Sequence, residues 1–588
     1  MTPPNINMFF ARLLVDRLVN EGVSLFIISP GSRSTPLTVA AAEHPDTATK
    51  IILDERTAAF YALGFARATG NAPALVCTSG TALANYYPAL IEAFQSRLPL
   101  IVLSADRPEE LQGVGANQTI QQANIYGEYA VNLSFEAPDT TLDPYRILES
   151  IEQAIQKTWV QGKAMTMPLH INCRFREPLA PDDDSFPLQK MNGRVASWYK
   201  NRPVDLTGYS MPDYAEEVES LAQLIAGKKR GIIVAGPESR YRHCPKLGEL
   251  SARLKWPIVC DIQSQYRFST MEIGGFPIGH FDLFLDHEKA AEELKPDLVL
   301  HFGGLPTSKR LNGFLASLTG IDYIKIQQHE RTIDPDGLET KRIIAHENLF
   351  AEQLRARVSE NKDATYLAKW MKTEYAALTI INRFAADNNI NEITLPKTVI
   401  EIMLSKSALY LSSSMPVRDA DSFMPVSKKA IQVGANRGAS GIDGILASAC
   451  GFSAGCDRAV TIIIGDLAFL HDIGSLKLIR ENKKPAIVVV INNNGGGIFH
   501  FLPIARHESV FEEYFGTPHG LTFGKVGEMY GLPYSTPKSV GEFSEAYLDL
   551  LKQGRSGIIE LIADRQENPA QHAMIRERVH EAVAKLYE

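Results

Sequence analysis

Two apolar, β-branched runs in the C-terminal third limit the folds open to this chain. Val460-Thr461-Ile462-Ile463-Ile464 ends in Gly465-Asp466-Leu467, and Ile487-Val488-Val489-Val490-Ile491 ends in Asn492-Asn493-Asn494-Gly495-Gly496. Runs this short and hydrophobic, closed by Gly or polar residues, match strands buried on both faces of a parallel sheet as they reach its edge. Ligands of such sheets sit outside the carboxyl ends of the strands. Two strands would deliver an Asp carboxylate and an Asn carboxamide there. Together with a loop carbonyl these are hard oxygen donors suited to Mg²⁺, which keeps few protein ligands and fills its octahedron with water and phosphate oxygens. Either half alone is also ordinary strand-end turn chemistry. The pairing of the two favours a metal site.

The same rhythm recurs along the chain in three blocks of alternating strands and helices, which predicts an α/β protein with three doubly wound parallel-sheet domains. The first block has a helix over 6–21 and strands at 25–29, 50–53, 74–77, 100–104 and 167–172. A Pro-, Asp- and Ser-rich stretch, 178–187, marks its end. The second has strands at 231–234, 257–260, 298–302 and 323–326. A charged, helix-prone segment over 347–389 leads to the third, with strands at 408–411, 460–464, 487–491 and 557–562. We set the domains at 1–185, 205–350 and 365–588. A length of 588 residues fits three or four domains of ordinary size.

Composition serves mainly to exclude. A net charge of −8 argues against nucleic acid or an anionic membrane as the main partner. No apolar stretch reaches the length of a membrane span, and the N-terminus shows no signal-peptide pattern. The six cysteines are scattered without a CxxC pair, as expected for reduced thiols in a cytoplasmic protein. None of the blocks carries GxGxxG after a strand, or GxxxxGK[ST], which argues against a dinucleotide or P-loop nucleotide. Ala235-Gly236-Pro237 reads as a tight turn used for packing.

One carboxylate in the first block stands at a comparable place. Glu55 follows Ile51-Ile52-Leu53 and precedes an Ala- and aromatic-rich helical run, Thr57 to Arg67, closed by Thr69-Gly70. Such a Glu could simply cap the helix and complement its dipole. With the Gly-Asp…Asn-Asn pattern, however, the segment resembles the thiamine-diphosphate enzyme superfamily, although Leu467 replaces the usual Gly after the Asp. The resemblance implies thiamine diphosphate as cofactor, held through Mg²⁺ or Mn²⁺ by Asp466, Asn493 and the Gly495 carbonyl, with Gly465 beside them. It implies that Glu55 binds the aminopyrimidine N1′ and favours the imino tautomer that takes the C2 proton.

Ser29-Pro-Gly-Ser-Arg-Ser-Thr-Pro-Leu37, Cys77-Thr-Ser-Gly-Thr-Ala82, Ser104-Ala-Asp-Arg-Pro108, Ala116-Asn-Gln-Thr-Ile120 and Asn436-Arg-Gly-Ala-Ser-Gly-Ile-Asp-Gly444 narrow the resemblance. They are similar to the family of 2-succinyl-5-enolpyruvyl-6-hydroxy-3-cyclohexene-1-carboxylate synthases of menaquinone or phylloquinone biosynthesis. In the middle block only Thr307-Ser-Lys-Arg310 matches well. The implied substrates are 2-oxoglutarate and isochorismate, each with two carboxylates, and Arg pairs bidentately with carboxylate. Arg33, Arg107, Lys309, Arg418 and Arg437 match substrate-facing positions, as do Ser32, Asn117 and Gln118. Ser414 matches a cofactor-side position, and Ile498 with Phe499 should support the folded cofactor. The family's active sites lie between subunits, so a homodimer or homotetramer is expected. The rival readings are an acetolactate-type carboligase acting on pyruvate, a vitamin carrier without turnover, and an oxidoreductase with a flavin or nicotinamide in the middle block.

Overall fold

The computed structural model describes residues 5–160, 164–181, 188–200, 213–237, 245–268 and 274–588. Cys244 and the proposed domain limits at 1, 185 and 205 lie outside them. The packing forms two compact units. One comprises the described residues of 1–211 with Asn436–Cys456, and the other those of 212–435 with Asp457–Glu588.

The first unit is built on a six-stranded sheet of β1 (Leu25–Ile28), β2 (Ala48–Ile51), β3 (Ala74–Cys77), β4 (Ile101–Asp106), β5 (Val131–Phe135) and β6 (Leu169–Arg174). Its order is β2-β1-β3-β4-β6-β5, with every pairing parallel. The interior strands β3 and β4 are buried throughout, whereas edge strand β2 is mostly exposed. The helix Glu55–Thr69 packs against the helix Ile445–Cys456, which arrives from far along the sequence. Their backbones touch because both carry glycine at the crossing. A Cβ on Gly64 would lie 1.8 Å from the Ser448 carbonyl oxygen, and one on Gly451 1.9 Å from that of Tyr61.

The second unit holds two sheets. The central one comprises β7 (Gly231–Ala235), β8 (Ile258–Cys260), β9 (Pro277–Ile278), β10 (Leu298–Phe302), β11 (Asp322–Gln327) and β12 (Lys341–Ile344), in the parallel order β9-β8-β7-β10-β11-β12. This is the strand order of dinucleotide-binding folds, here without their glycine fingerprint. The turn after β7 is a packing device, as expected: a Cβ on Gly236 would meet the Gly304 carbonyl oxygen at 2.0 Å. Buried Trp256 and Trp370 anchor the cores on the two faces of this sheet.

A polar trio interrupts that core. Tyr323 Oη lies 2.6 Å from His301 Nδ1, while His301 Nε2 lies 2.8 Å from the Gly304 carbonyl and 3.0 Å from Lys325 Nζ. If Tyr323 donates to Nδ1, Nε2 carries the ring proton and donates to Gly304. Lys325 can then sit beside it comfortably only as a neutral amine. Burial indeed pushes Lys325 down to about 7, and pushes His301 well below its ordinary value.

The third sheet contains β13 (Ala408–Leu411), β14 (Gln432–Ala435), β15 (Val460–Gly465), β16 (Ala486–Asn492), β17 (Tyr534–Ser535) and β18 (Gly557–Ile562). Its parallel order, β14-β13-β15-β16-β18-β17, repeats that of the first sheet strand for strand. The two outer blocks are thus a structural repeat with no repeat legible in sequence. Interior strands fall where the apolar runs place them. The strands without such runs (β5, β9, β12, β14 and β17) all lie at sheet edges.

Candidate active site

In the third sheet β15 and β16 pair in register, Gly465 opposite Ile491, so both polar clusters emerge at the same end. Asp466 opens the short helix after β15 and is buried. One carboxylate oxygen accepts the Leu467 N–H at 2.7 Å; the other accepts that of Gly495 at 2.9 Å. His519 Nδ1 accepts the Leu521 N–H at 3.0 Å, which leaves Nε2 to donate to Asp466 at 3.1 Å. Asn494, at φ +61°, accepts the His519 and Gly520 N–H groups through Oδ1. Gly495 has φ +136°, and a Cβ there would lie 1.9 Å from the Gly516 carbonyl, so no larger residue fits this turn.

Asn493 supplies the test of whether a cation suits the site. Its Nδ2 donates to Glu392 at 2.8 Å, while its Oδ1 is buried with no hydrogen-bond partner. A buried acceptor without a donor costs free energy unless something fills it. The Asp466 carboxylate, the Asn493 carboxamide oxygen and the Gly495 carbonyl would make a hard, oxygen-only donor set of the kind Mg²⁺ or Mn²⁺ takes. Among the described residues no group of three or more His, Cys, Asp or Glu could hold a metal, so a site here must rely on such a mixed set.

On the same sheet, Ser414 follows β13 with φ +73°, a backbone conformation rare outside glycine that marks a constrained position. Its carbonyl accepts from Arg418 Nη1. Asp282 joins the helix Met415–Phe423 to the 307–310 segment, because it accepts from Ser308, Arg310 and Ser422. Lys309 is exposed at the start of the helix Lys309–Ser317. Ile498 and Phe499 lie half-buried in the helical turn Gly497–Phe501, with Phe499 against Phe515.

The first unit gathers the other residues. Asp54, rather than Glu55, caps the helix Glu55–Thr69, accepting the Thr57 N–H at 3.2 Å. Asp54 thus takes the N-cap position, and Glu55 follows it in the first turn of the helix. Burial raises its pKa, its own backbone N–H works against this, and the Asp54 charge adds to the rise. Ile51 and Leu53 are exposed beside it, at 65% and 66%.

Arg33 donates to the Phe175 carbonyl at 3.0 Å and pairs with Glu177 at 3.2 Å. Arg107 donates to the Gln118 carbonyl at 3.1 Å, and Gln118, at φ +55°, donates to the Ser79 carbonyl. Burial lowers the Arg107 pKa and the nearby Arg33 charge lowers it further, while Asp106 and Glu177 oppose the shift. Beneath these loops, Gln122 links the Gly80 N–H to Asn172, and Asn172 to Asp106, through buried hydrogen bonds. Ser32 and Asn117 are exposed on the same loops. Arg437 belongs to this unit as well. Buried Glu92 accepts the N–H groups of Gly438 at 2.8 Å and Ala439 at 2.6 Å, fixing that loop, and pairs with Arg67.

The candidate residues therefore form two groups in different compact units. Glu55, Ser32, Arg33, Arg107, Asn117, Gln118 and Arg437 belong to one; Lys309, Ser414, Arg418, Gly465, Asp466, Asn493, Gly495, Ile498 and Phe499 belong to the other. Sequence reading missed Glu92, Glu392 and His519. Each is a lone polar residue outside any motif and becomes visible only through what it touches.

Comparison with known proteins gives a uniform result. Three family models match: "Thiamine pyrophosphate enzyme, N-terminal TPP binding domain" over residues 8–125, "Middle domain of thiamine pyrophosphate" over 189–411, and "Thiamine pyrophosphate enzyme, C-terminal TPP binding domain" over 423–561. The 2-succinyl-5-enolpyruvyl-6-hydroxy-3-cyclohexene-1-carboxylate synthase of Rubrobacter xylanophilus is 41% identical, covering 97% of this chain and 98% of its own. Its namesake from Geobacillus kaustophilus is 38% identical over 98% and 99%, and that of Prosthecochloris aestuarii 39% identical over 98% of each. Among solved structures, the 4-hydroxybenzoylformate decarboxylase of Rhodococcus jostii RHA1 shares the fold, with a TM-score of 0.70 at 16% identity over 94% of this chain and 99% of that one. Benzoylformate decarboxylase from Polynucleobacter necessarius does so at 0.66 and 16%, covering 95% and 98%.

Proposed function

Because this chain belongs to the family of 2-succinyl-5-enolpyruvyl-6-hydroxy-3-cyclohexene-1-carboxylate synthases, we infer that it carries out their reaction with thiamine diphosphate as cofactor. It decarboxylates 2-oxoglutarate and joins the remaining succinyl unit to isochorismate by conjugate addition, releasing CO₂, in menaquinone biosynthesis. When bound, thiamine diphosphate supplies the electron sink that takes the pair left by CO₂ and returns it to the new carbon–carbon bond.

The chain's own groups bind, orient and move protons. Asp466, Asn493 through Oδ1, and the Gly495 carbonyl hold Mg²⁺ or Mn²⁺ and with it the diphosphate, beside Gly465. Ser414, Ile498 and Phe499 support the rest of the cofactor. Glu55 holds a proton at the pyrimidine N1′, a task favoured by its raised pKa. Arg33, Arg107, Lys309, Arg418 and Arg437 bind the substrate carboxylates, with Ser32, Asn117 and Gln118 completing the polar lining. The observation that carries the metal assignment is the unpartnered Asn493 Oδ1 at the strand end neighbouring that of Asp466.

Two exposed apolar residues flanking Glu55, Ile51 and Leu53, support a homodimer or homotetramer with active sites between subunits. The limits 1–185, 205–350 and 365–588 divide the chain by sheet into pyrimidine, central and diphosphate domains. No described helix is long and apolar enough to cross a membrane. Among the described residues, the buried thiols of Cys77, Cys173 and Cys260 lie outside any disulfide, which supports a cytoplasmic setting. Mass-spectrometric product analysis with 2-oxoglutarate, isochorismate, Mg²⁺ and thiamine diphosphate tests the function. Turnover of pyruvate in preference to 2-oxoglutarate would reject it in favour of an acetolactate-type enzyme.

A further inference from the structure

An Asn side chain can present either its oxygen or its amide nitrogen, and only its hydrogen-bond surroundings decide which. Around Asn493 that decision falls to Glu392, a 3% exposed carboxylate just before the helix Thr394–Ile402. Its Oε1 accepts from Asn493 Nδ2 at 2.8 Å, and its Oε2 accepts from Asn568 Nδ2. In this geometry both oxygens act as acceptors, one toward each amide. Both carboxamides thus turn their nitrogens toward Glu392, and both leave a buried oxygen without a partner, Asn493 Oδ1 and Asn568 Oδ1.

We propose that Glu392 is a positioning residue that fixes the Asn493 carboxamide with Oδ1 presented to the divalent cation. The inference rests on the metal assignment to Asp466 and Asn493 made above. What matters is the acceptor on Glu392, because without it the Asn493 amide gains nothing by turning its nitrogen inward. Groups that orient metal ligands typically change metal affinity by about 10- to 100-fold when removed.

The test is Mn²⁺ binding followed by electron paramagnetic resonance in the presence of thiamine diphosphate, on the full-length protein, with circular dichroism to verify folding. Glu392→Met keeps the side-chain length and removes the acceptor; it should weaken Mn²⁺ binding by about 10- to 100-fold. The pair Glu392→Gln with Asn568→Asp moves the carboxylate to position 568. There it accepts from the amide nitrogen introduced at position 392, so the carboxamide oxygen at 392 still faces Asn493, and affinity should stay close to wild type. This exchange conserves volume and charge, and it decides the matter even if the Met variant does not fold. Wild-type affinity in Glu392→Met would overturn the proposal. So would a swapped pair that binds poorly, since the effect would then belong to the charge of Glu392 and not to its orienting bond. Asp466→Ala serves as the reference. If it binds Mn²⁺ as wild type does, the metal assignment itself falls and this inference falls with it.

Discussion

Replacing Lys325 by Met should stabilise the second unit, most strongly at and below neutral pH, and the gain should shrink as pH rises. Lys325 is 1% exposed on an interior strand. Burial is the main cause of its depressed pKa, opposed by Glu339, Glu347 and Asp334 and reinforced by Arg342, and it brings the amine down to about 7 from an ordinary 10.5. The unfolded chain therefore binds this proton more tightly than the native one. Between pH 7 and 10.5 stability rises with pH, and below about 7 the full penalty is present. At about 1.4 kcal/mol per unit, the whole shift amounts to about 5 kcal/mol. Met fills similar volume without a proton to lose, which removes the penalty. His301 can keep its bonds to Tyr323 and Gly304. The advantage of Lys325→Met at pH 7 should fall by about 2 kcal/mol at pH 9, where wild type has recovered part of the difference. Urea unfolding monitored by the fluorescence of buried Trp256 and Trp370 measures this double difference, and titrations elsewhere in the chain cancel from it. A gap between the two proteins that stays constant or widens with pH would refute the neutral-amine assignment.

Glu55→Gln keeps the hydrogen bond but not the charge. C2 proton exchange of bound thiamine diphosphate, followed by NMR, should slow by about 10²- to 10⁴-fold while the cofactor stays bound. Asp466→Ala should fold normally yet lose Mg²⁺-dependent cofactor affinity in calorimetry. Arg107→Ala or Arg437→Ala should raise KM for one of the two substrates by about 10- to 100-fold, the worth of one charge-assisted carboxylate contact, with C2 exchange unaffected. Wild-type kinetics for both substrates in both variants would count against a substrate role for these arginines.

How much of this could be read in the sequence depended on where each residue lies in its sheet. The interior strands β15 and β16 are packed on both faces, so burial forces uninterrupted Val and Ile runs that stand out. Edge strands have one neighbour and meet weaker demands. Val131–Phe135 alternates apolar with polar residues and is only partly buried, Lys341–Ile344 is half charged, and the two-residue strands at Pro277 and Tyr534 leave almost no pattern. The candidate site shows the same division. Asp466, Asn493 and Glu55 were legible because motif and strand end coincide. Glu392, Glu92 and His519 were not, because each acts across long sequence separation on a group whose need for a partner arises only on folding. Asp54 separates the two roles open to Glu55, a distinction that needs the geometry of the cap.

The glycine-to-glycine helix crossing also bears on how the polypeptide is made. The helix Glu55–Thr69 lies directly on Ile445–Cys456, with no space for even a methyl group at Gly64 or Gly451. As the nascent chain leaves the ribosome, the N-terminal sheet emerges early, but the groove along Tyr61, Gly64 and Phe65 stays open until residue 456 is outside the exit tunnel. Domains usually close in the order of their synthesis. Here the N-terminal unit must wait for most of the chain, with an apolar groove exposed meanwhile to chaperones or to a second nascent copy. A gene fragment ending near residue 211 would leave that groove permanently uncovered and should be recovered as aggregate, whereas the same fragment supplied with a peptide of residues 436–456 should gain solubility.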